Sequence, residues 1–516
     1  MTKKTVKIIQ NKEGQLYVKG KEGQRIKFVP LSTTRLHANN LDFIEIHRDL
    51  IDELGLDNER EVVMRILCLP PYSNGPTSFH GISRTMSIPR KRVKKYTWKQ
   101  SKKLEGEFMK KPKLLWISDD PNIHSGNAKV TKNVLMHLQK DFEITSVIGW
   151  NGLGQRHNFP YHIWPVDFLK RDHEEMMYLV AMVINEEKPD VLMVHGDIWD
   201  FWWLPKLKMP HVKKVGYITV DVHPLRPEWN EIWNSFDSLA IPSKWGAQLV
   251  KDVSNLSPSV VYEGVDTDIF KPLSDKERQD QRQNIRQSCV KGGLWDPKFM
   301  ITMLARAMPR KNLPAGIRAI ANLGKKYQDI GHIILYPIDE TEPGSHNMDE
   351  YNRRYLNSKM AKIKGNSVGP RSSMSDHDIA KTLGYSDILL FPSMHEGFGL
   401  PVLEAMACGC VPVAANCSTM PELLGNEERG LLANIGGIFV EASGKFSGME
   451  EEVVSDESLL GKLESLHNNP SKLEELRTSG IAWAKEKTWA KTAESLKEIA
   501  FKALSQNEKD IYMKEL

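Results

Sequence analysis

Between Ile388 and Gly409 three pieces follow one another without a spacer. An apolar Ile-Leu-Leu-Phe is followed by Pro-Ser-Met-His-Glu-Gly-Phe-Gly, then by Leu-Pro-Val-Leu-Glu-Ala-Met-Ala-Cys-Gly. A short run that is apolar at every position fits a strand buried on both faces, as in a parallel sheet covered by helices. The segment therefore predicts a strand at Ile388–Phe391, a turn holding Gly397 and Gly399, and a helix from about Pro401. A glycine turn leading into a helix start points backbone N–H groups at an anion such as a phosphate. Glu396 and Glu404 flank that corner, eight residues apart, and carboxylates accept hydrogen bonds from hydroxyl groups. A plain helix start needs neither glycine.

The same alternation fills most of the chain. Strands are predicted at 114–118, 144–148, 191–194, 214–220 and 238–241, with a loop at 122–128 followed by a helix through Leu138. Gly264-Val-Asp-Thr-Asp268 reads as a turn between two halves. A second set follows: strands at 299–304, 332–336, 388–391 and 411–414, with helices at 313–323 and 401–407. Residues 458–504 are predicted helical. Two alternating sets predict an α/β chain of two Rossmann-like domains facing a cleft, with ligands beyond the carboxyl ends of the strands. The expected boundaries are 1–110 for a β-rich N-terminal extension with a basic linker, 111–265 plus C-terminal helices from about 485 to 516 for one domain, and 266–484 for the other. Within the extension, strands are expected at 5–9, 16–18, 26–29 and 61–67, a helix at 43–54 and an irregular connection at 68–89.

Composition narrows the setting. No stretch approaches the ~18 apolar residues of a membrane span. The first residues, Met-Thr-Lys-Lys-Thr-Val-Lys, lack the apolar core of a signal peptide. The five cysteines (Cys68, Cys289, Cys408, Cys410 and Cys417) have no metal-ligand spacing, which fits a reducing, cytoplasmic location. Cys408 and Cys410 are expected to pack as small buried residues. The net charge of +4 conceals a basic segment: residues 90–113 hold eleven Lys or Arg and two Glu, with Tyr96 and Trp98 among them. That segment reads either as a solvated linker or as a strip contacting the phosphates of a polyanion.

The second half carries further chemistry. Ala305-Arg-Ala-Met-Pro-Arg-Lys-Asn-Leu313 puts Arg306 and Lys311 between a strand and a helix start, a natural site for a diphosphate. Each charge-assisted hydrogen bond there contributes roughly 1.5–3 kcal/mol. In the first half, Ser125-Gly126-Asn-Ala lies in a strand-to-helix loop. His195-Gly-Asp197 and Asp221-Val-His223 each end a predicted strand and are expected to face the cleft. The aromatic run Asp197-Ile-Trp-Asp-Phe-Trp-Trp203, with Trp229 and Trp233, suits core packing or a stacking platform for an acceptor.

Taken together, Glu396-Gly-Phe-Gly-Leu-Pro-Val-Leu-Glu404, Arg306-x4-Lys311-Asn312, Tyr262-Glu-Gly-Val-Asp-Thr-Asp-Ile-Phe-Lys-Pro272 and Pro421-Glu-Leu423 resemble the retaining family 4 glycosyltransferases (glycosyl transferases group 1) of the GT-B fold. The resemblance covers about residues 113 to 504. It implies that Glu404 binds the ribose hydroxyls of a nucleotide-sugar. It also implies that Glu396, with the turn Gly397, Phe398, Gly399 and Leu400, holds the transferred sugar. Arg306 and Lys311 would pair with the diphosphate, Ser125 and Gly126 would lie near it, and 368–373 would lie near the base. A first-half histidine contacts the sugar in such enzymes; Asp221 and His223 are offset by two, and either of them or His195 could take that place. The resemblance implies a nucleotide-diphosphate sugar as donor, a UDP-sugar being expected, with no further cofactor, no metal and no covalent nucleophile. It also implies C-terminal helices that cross back to the first domain. The acceptor stays open between a hydroxymethylated base in DNA and a glycan or lipid-linked hydroxyl. A phosphorylase or epimerase on the same fold is the remaining alternative, and no lysine motif for a pyridoxal cofactor accompanies it.

Overall fold

The computed structural model describes strands at 5–6, 8–10, 16–19, 25–28, 63–67 and 83–87, and residues 111–152, 154, 157–166, 173–289, 297–335, 348–356, 374–441 and 448–514. The chain divides into two compact units, Met1–Lys110 and Lys111–Leu516. The first unit holds an antiparallel meander of Ile8–Gln10, Leu16–Lys19 and Arg25–Phe28. It also holds a small sheet in which Val63–Leu67 pairs parallel with Thr5–Val6 and antiparallel with Ser83–Ser87. The strand Ser83–Ser87 corrects the expectation of an irregular connection over 68–89: its polar sequence, Ser-Arg-Thr-Met-Ser, gives no strand signal, and pairing defines it. The expected helix at 43–54 lies outside the described residues.

The second unit contains two parallel sheets. The first runs, in spatial order, Ser259–Val260, Ser238–Ile241, Lys213–Thr219, Val191–Asp197, Lys113–Asp119, Glu143–Trp150 and His162–Val166. The second runs Ile330–Leu335, Phe299–Leu304, Ile388–Phe391, Val411–Ala415 and Leu431–Ala433. Each is doubly wound, so strand order reverses once. The reversals fall between Lys113–Asp119 and Val191–Asp197 in the first sheet, and between Phe299–Leu304 and Ile388–Phe391 in the second. Such reversal points open a crevice at the carboxyl ends of the strands.

Burial on both faces explains why these strands read as unbroken apolar runs. Leu114, Leu115, Trp116 and Ile117 are all fully buried, as are Ile388 and Leu389. One continuous apolar cluster joins the halves: Trp116 and Tyr217 of the first sheet share it with Phe398 and Leu400 of the second half and with Trp489 and Leu496 of the last helix. That helix, Trp489–Lys514, packs on Gly126–Leu138 and on the strands Lys213–Thr219 and Ser238–Ile241, returning to the first half. The chain therefore crosses between the halves twice. The crossings meet where Val265 N–H donates to the Lys487 carbonyl at 2.9 Å. Gly264 is required there, because a Cβ would lie 2.3 Å from Trp489 N.

A two-stranded antiparallel ribbon, Ile435–Val440 with Glu450–Val454, follows the second sheet. Met449 is buried in the first half's apolar cluster beside Val222, Leu225 and Trp229. Glu450 N–H donates to the His223 carbonyl at 2.8 Å. The ribbon is thus a further bond between the halves, away from the crossings. No helix among the described residues is long and apolar enough to cross a membrane.

Candidate functional site

The turn after Ile388–Phe391 is built around two constraints. Gly399 adopts φ 103°, which favours glycine, and caps the helix Leu400–Cys408 with Pro401 in its first turn. Thr419 then fastens the turn from behind, its hydroxyl donating to the carbonyls of Phe398 at 2.9 Å and Glu396 at 3.3 Å. Ser418 accepts from the Glu396 N–H at 3.0 Å. The Glu396 carboxylate is therefore held in place although it is only 7% exposed.

Its partners come from the other side of the sheet reversal. The tight turn Pro309–Lys311 ends at Asn312 in the left-handed region, φ 45°. From that turn Lys311 hydrogen-bonds Glu396 Oε1, and Arg310 Nη1 lies 3.7 Å from Glu396 Oε2. Burial alone would raise the Glu396 carboxyl, but Lys311 and Arg310 outweigh it and hold the group low. Burial and the neighbouring Arg310 bring Lys311 down to about 8, against the pull of Glu396.

Glu404, four residues into the helix, is 4% exposed. Its partner is Lys129 of the first half, whose Nζ lies 2.5 Å from Glu404 Oε1 and 2.8 Å from Asp376 Oδ1. Burial raises the Glu404 carboxyl, and Lys129 offsets part of the rise. Lys129 rides on the helix Gly126–Leu138, capped by Ser125, whose Oγ accepts from Ala128 N–H at 3.0 Å. The Ser125 hydroxyl itself donates to Asp119 at the end of the central strand. Arg306 reaches this loop, with Nη2 donating to the His124 carbonyl at 3.3 Å.

The halves meet closely here. A Cβ at Gly397 would fall 2.0 Å from Thr219 Cγ2, and one at Gly126 would fall 3.9 Å from Leu400 Cδ1. Ser125, Gly126, Arg306, Lys311, Glu396, Gly397, Phe398, Gly399, Leu400 and Glu404 thus sit around one junction of strand ends. Asp221 joins them from the first half, 4.0 Å from Arg310 and 3.5 Å from His395.

The two candidate histidines occupy different places, and one of them, His195, differs from expectation. His195 does not face the cleft: its register places it opposite Tyr217 within the strand, and it is fully buried. Nδ1 lies 2.8 Å from the Tyr217 carbonyl, the ring stacks on Tyr217, and burial pulls the group down to about 4. His223 lies at the ribbon, 3.8 Å from both Glu450 and Glu452. The aromatic run is mostly core: Phe201, Trp203 and Trp233 are fully buried and Trp229 is 8% exposed. Segment 368–373 lies outside the described residues.

Sequence reasoning passed over three site residues: Lys129, Arg310 and His395. His395 and Arg310 adjoin residues it selected, so proximity in the chain was the available signal. Lys129 lies 275 residues from Glu404, and nothing local marks it. Cys408, Cys410 and Cys417 are buried free thiols. Among the described residues no group of three His, Cys, Asp or Glu could hold a metal ion.

Comparison with known proteins agrees with this architecture. Residues 285–438 match the family model Glycosyl transferases group 1, so the chain carries a domain of that kind. Sucrose-phosphate synthase from Thermosynechococcus elongatus superposes with a TM-score of 0.60 at 13% identity, covering 77% of this chain and 100% of that one. HepE of Anabaena, solved with UDP and glucose, gives 0.56 at 15% identity over 75% and 98% of the two chains. The shared fold is GT-B. Among curated proteins, the Escherichia coli serotype-specific mannosyltransferase WbdA is 33% identical over 135 residues, 26% of this chain and 15% of WbdA. The D-inositol 3-phosphate glycosyltransferase of Corynebacterium kroppenstedtii is 24% identical over 48% of this chain and 57% of its own length. The chain therefore spans less than two thirds of these relatives.

Proposed function

We propose that this protein is a retaining glycosyltransferase that moves a sugar from a nucleotide-diphosphate donor, a UDP-sugar on our reading, to a hydroxyl acceptor. The observation that carries the proposal is the convergence of buried Glu396 and Glu404 with Lys311, Lys129 and Arg306 at the helix start Leu400–Cys408. A cluster of cations at a helix N-terminus suits a diphosphate, and buried carboxylates suit hydroxyls. On this reading Glu404 takes the ribose, exchanging Lys129 for hydroxyl donors, and Glu396 holds the transferred sugar.

Breaking the sugar–phosphate bond leaves an oxocarbenium-like sugar and a diphosphate. Lys311, Arg306 and the helix start would stabilise the departing charge in a site already screened from water. Lys311, held at about 8, is largely protonated at neutral pH, as that role requires. Retention then follows from attack on the face that the diphosphate leaves, the diphosphate taking the acceptor's proton. The reading includes a reducing, cytoplasmic setting, which the buried free thiols Cys408, Cys410 and Cys417 support.

For the acceptor, a glycan or lipid-linked hydroxyl is the first reading, supported by a relative named as a mannosyltransferase. The basic segment 90–113 favours a second, hydroxymethylated bases in DNA. Its residues 90–110 lie outside the described part of the chain, so this reading rests on sequence. Duplex binding that weakens steeply with salt and is lost on neutralising the basic residues of 90–103 would favour DNA; binding indifferent to salt would exclude it.

The donor reading is tested by incubating the protein with a panel of nucleotide-sugars and measuring release of nucleoside diphosphate. Turnover with one donor is expected, and Lys311→Ala should reduce it by about 100-fold or more. Near-normal turnover of Lys311→Ala at saturating donor would contradict the assignment.

A further inference from the structure

Tyr262 and Glu422 have no place among the carboxylates and cations around Glu396 and Glu404, yet the fold brings them together. The Tyr262 hydroxyl donates to Glu422 Oε1 at 2.6 Å. Tyr262 lies at the first crossing between the halves, just before Gly264. Glu422 lies in the short helix Met420–Leu424 of the second half. The same carboxylate reaches into the first half. It accepts the backbone N–H of Lys244, at 3.0 Å on Oε1 and 2.9 Å on Oε2, and that of Trp245 at 3.3 Å. These residues open the helix Lys244–Val253, whose next N–H, on Gly246, donates to Ser243 Oγ at 3.0 Å. The first turn of a helix has no backbone acceptors of its own, and its positive end favours an anion. Here part of that cap comes from the opposite half.

The segment that carries Glu422 also holds the donor turn. Ser418 and Thr419, just before the short helix, bond the backbone of Glu396 and Phe398. Met420 and Leu423 lie against Gly399, where an added Cβ would fall 2.8 Å from Met420 Cε and 3.6 Å from Leu423 Cδ2. Arg429 fixes the far end of the helix, with Nη2 donating to the Glu422 carbonyl at 3.1 Å and Nε to the Leu423 carbonyl at 3.0 Å. The Tyr262 ring stands 6.1 Å from that of Phe398 in the same turn. Burial, then Glu422, raises the Tyr262 hydroxyl above its ordinary range, so it stays a donor at neutral pH.

We propose that Glu422 is a positioning residue that locks the first half to the turn holding the transferred sugar. What it positions rests on the nucleotide-sugar reading above. On that reading the second half holds the donor through Glu396, Glu404, Arg306 and Lys311, and the first half brings up Asp221 and the Ser125–Gly126 loop. Bond breaking needs the two sets in register, and a misplacement of about 1 Å can cost about 100-fold. The Glu422 carboxylate touches none of the groups assigned to the donor. Its loss should therefore act on alignment and leave donor binding in place.

The test is release of nucleoside diphosphate from the nucleotide-sugar that the wild type turns over, with UDP-glucose and GDP-mannose as first probes. Glu422→Ala should lower kcat by about tenfold while donor KM changes by less than about threefold. Glu422→Gln keeps one acceptor oxygen and should recover part of kcat. Tyr262→Phe should lower kcat by about twofold to threefold alone, and no further in the Glu422→Ala background, because the hydroxyl acts through that carboxylate. Amide hydrogen exchange gives a readout independent of activity. Lys244 and Trp245 should exchange about tenfold faster in Glu422→Ala, with Val411–Ala415 unaffected. An unchanged kcat in Glu422→Ala, or a fall matched by weakened donor binding, overturns the proposal. So do unchanged exchange rates at Lys244 and Trp245. A wild type that turns over no nucleotide-sugar overturns the donor reading instead, and exchange at Lys244 and Trp245 then decides whether Glu422 ties the halves. Should Glu422→Ala fail to fold, Glu422→Gln and Tyr262→Phe carry the same predictions in smaller measure.

Discussion

Glu263 precedes the glycine at which the two crossings between halves meet, and it is only 6% exposed. Burial, then the nearby Glu396 and Glu404, raises its carboxyl from 4.5 to about 8. The folded chain therefore keeps a proton that the unfolded chain releases, and stability falls as pH rises from about 4.5 to about 8. Glu263→Gln removes that dependence. Its melting temperature should exceed that of the wild type by a margin that widens between about pH 5 and about pH 8, reaching about 2 °C or more. A margin independent of pH would show that Glu263 is not held neutral. At this scale the sequence was legible where residues sit in one local pattern, as Glu396 and Glu404 do. It was not legible where a partner is distant. Lys129 sits in the first half's helix and pairs with Glu404 only because the two sheets face each other. His195 was misread for a related reason: nearness to a strand's end suggested exposure, whereas its register against Tyr217 buries it.

Elements fit here with little tolerance. The Gly397 turn touches the end of the strand Lys213–Thr219, where an added Cβ would lie 2.0 Å from Thr219 Cγ2. Gly397→Ala should lower donor kcat/KM by about tenfold or more by forcing the halves apart. Thr219→Ser deletes that methyl and should restore part of the loss in the double variant, a coupling of about 1 kcal/mol or more. Equal losses in the single and double variants would place the effect elsewhere. The ribbon offers a second check. Met449→Asp puts a charge into the cluster with Trp229 and should speed hydrogen exchange at the Glu450 amide, whose acceptor is the His223 carbonyl. Amides of Val411–Ala415 should be unaffected, and an unchanged Glu450 rate would show that the contact does not hold the ribbon. Strands buried on both faces were readable as apolar runs. His162–Val166 was not, because as an edge strand it alternates in burial and carries Pro165, a residue that argues against a central strand.

At the scale of the molecule, two reversals of strand order and two crossings of the chain bring residues 119–129, 219–221, 306–311 and 395–404 to one place. The alternation of strands and helices was enough to predict two facing domains. It could not predict how tightly they meet, since that depends on pairs such as Lys129 with Glu404 and Asp221 with Arg310 that link the halves. Nor could it foresee the ribbon, whose acidic strand Glu450–Val454 carries carboxylates to His223 and His395. A nucleotide-sugar seated at this junction would be held by Glu404 and Lys311. Equilibrium binding of the donor identified by turnover, measured on the wild type, Glu404→Ala and Lys311→Ala, tests that assignment most directly. Saturable binding to the wild type is expected, weakened by about tenfold or more in each variant. Equal affinity in all three proteins would contradict it.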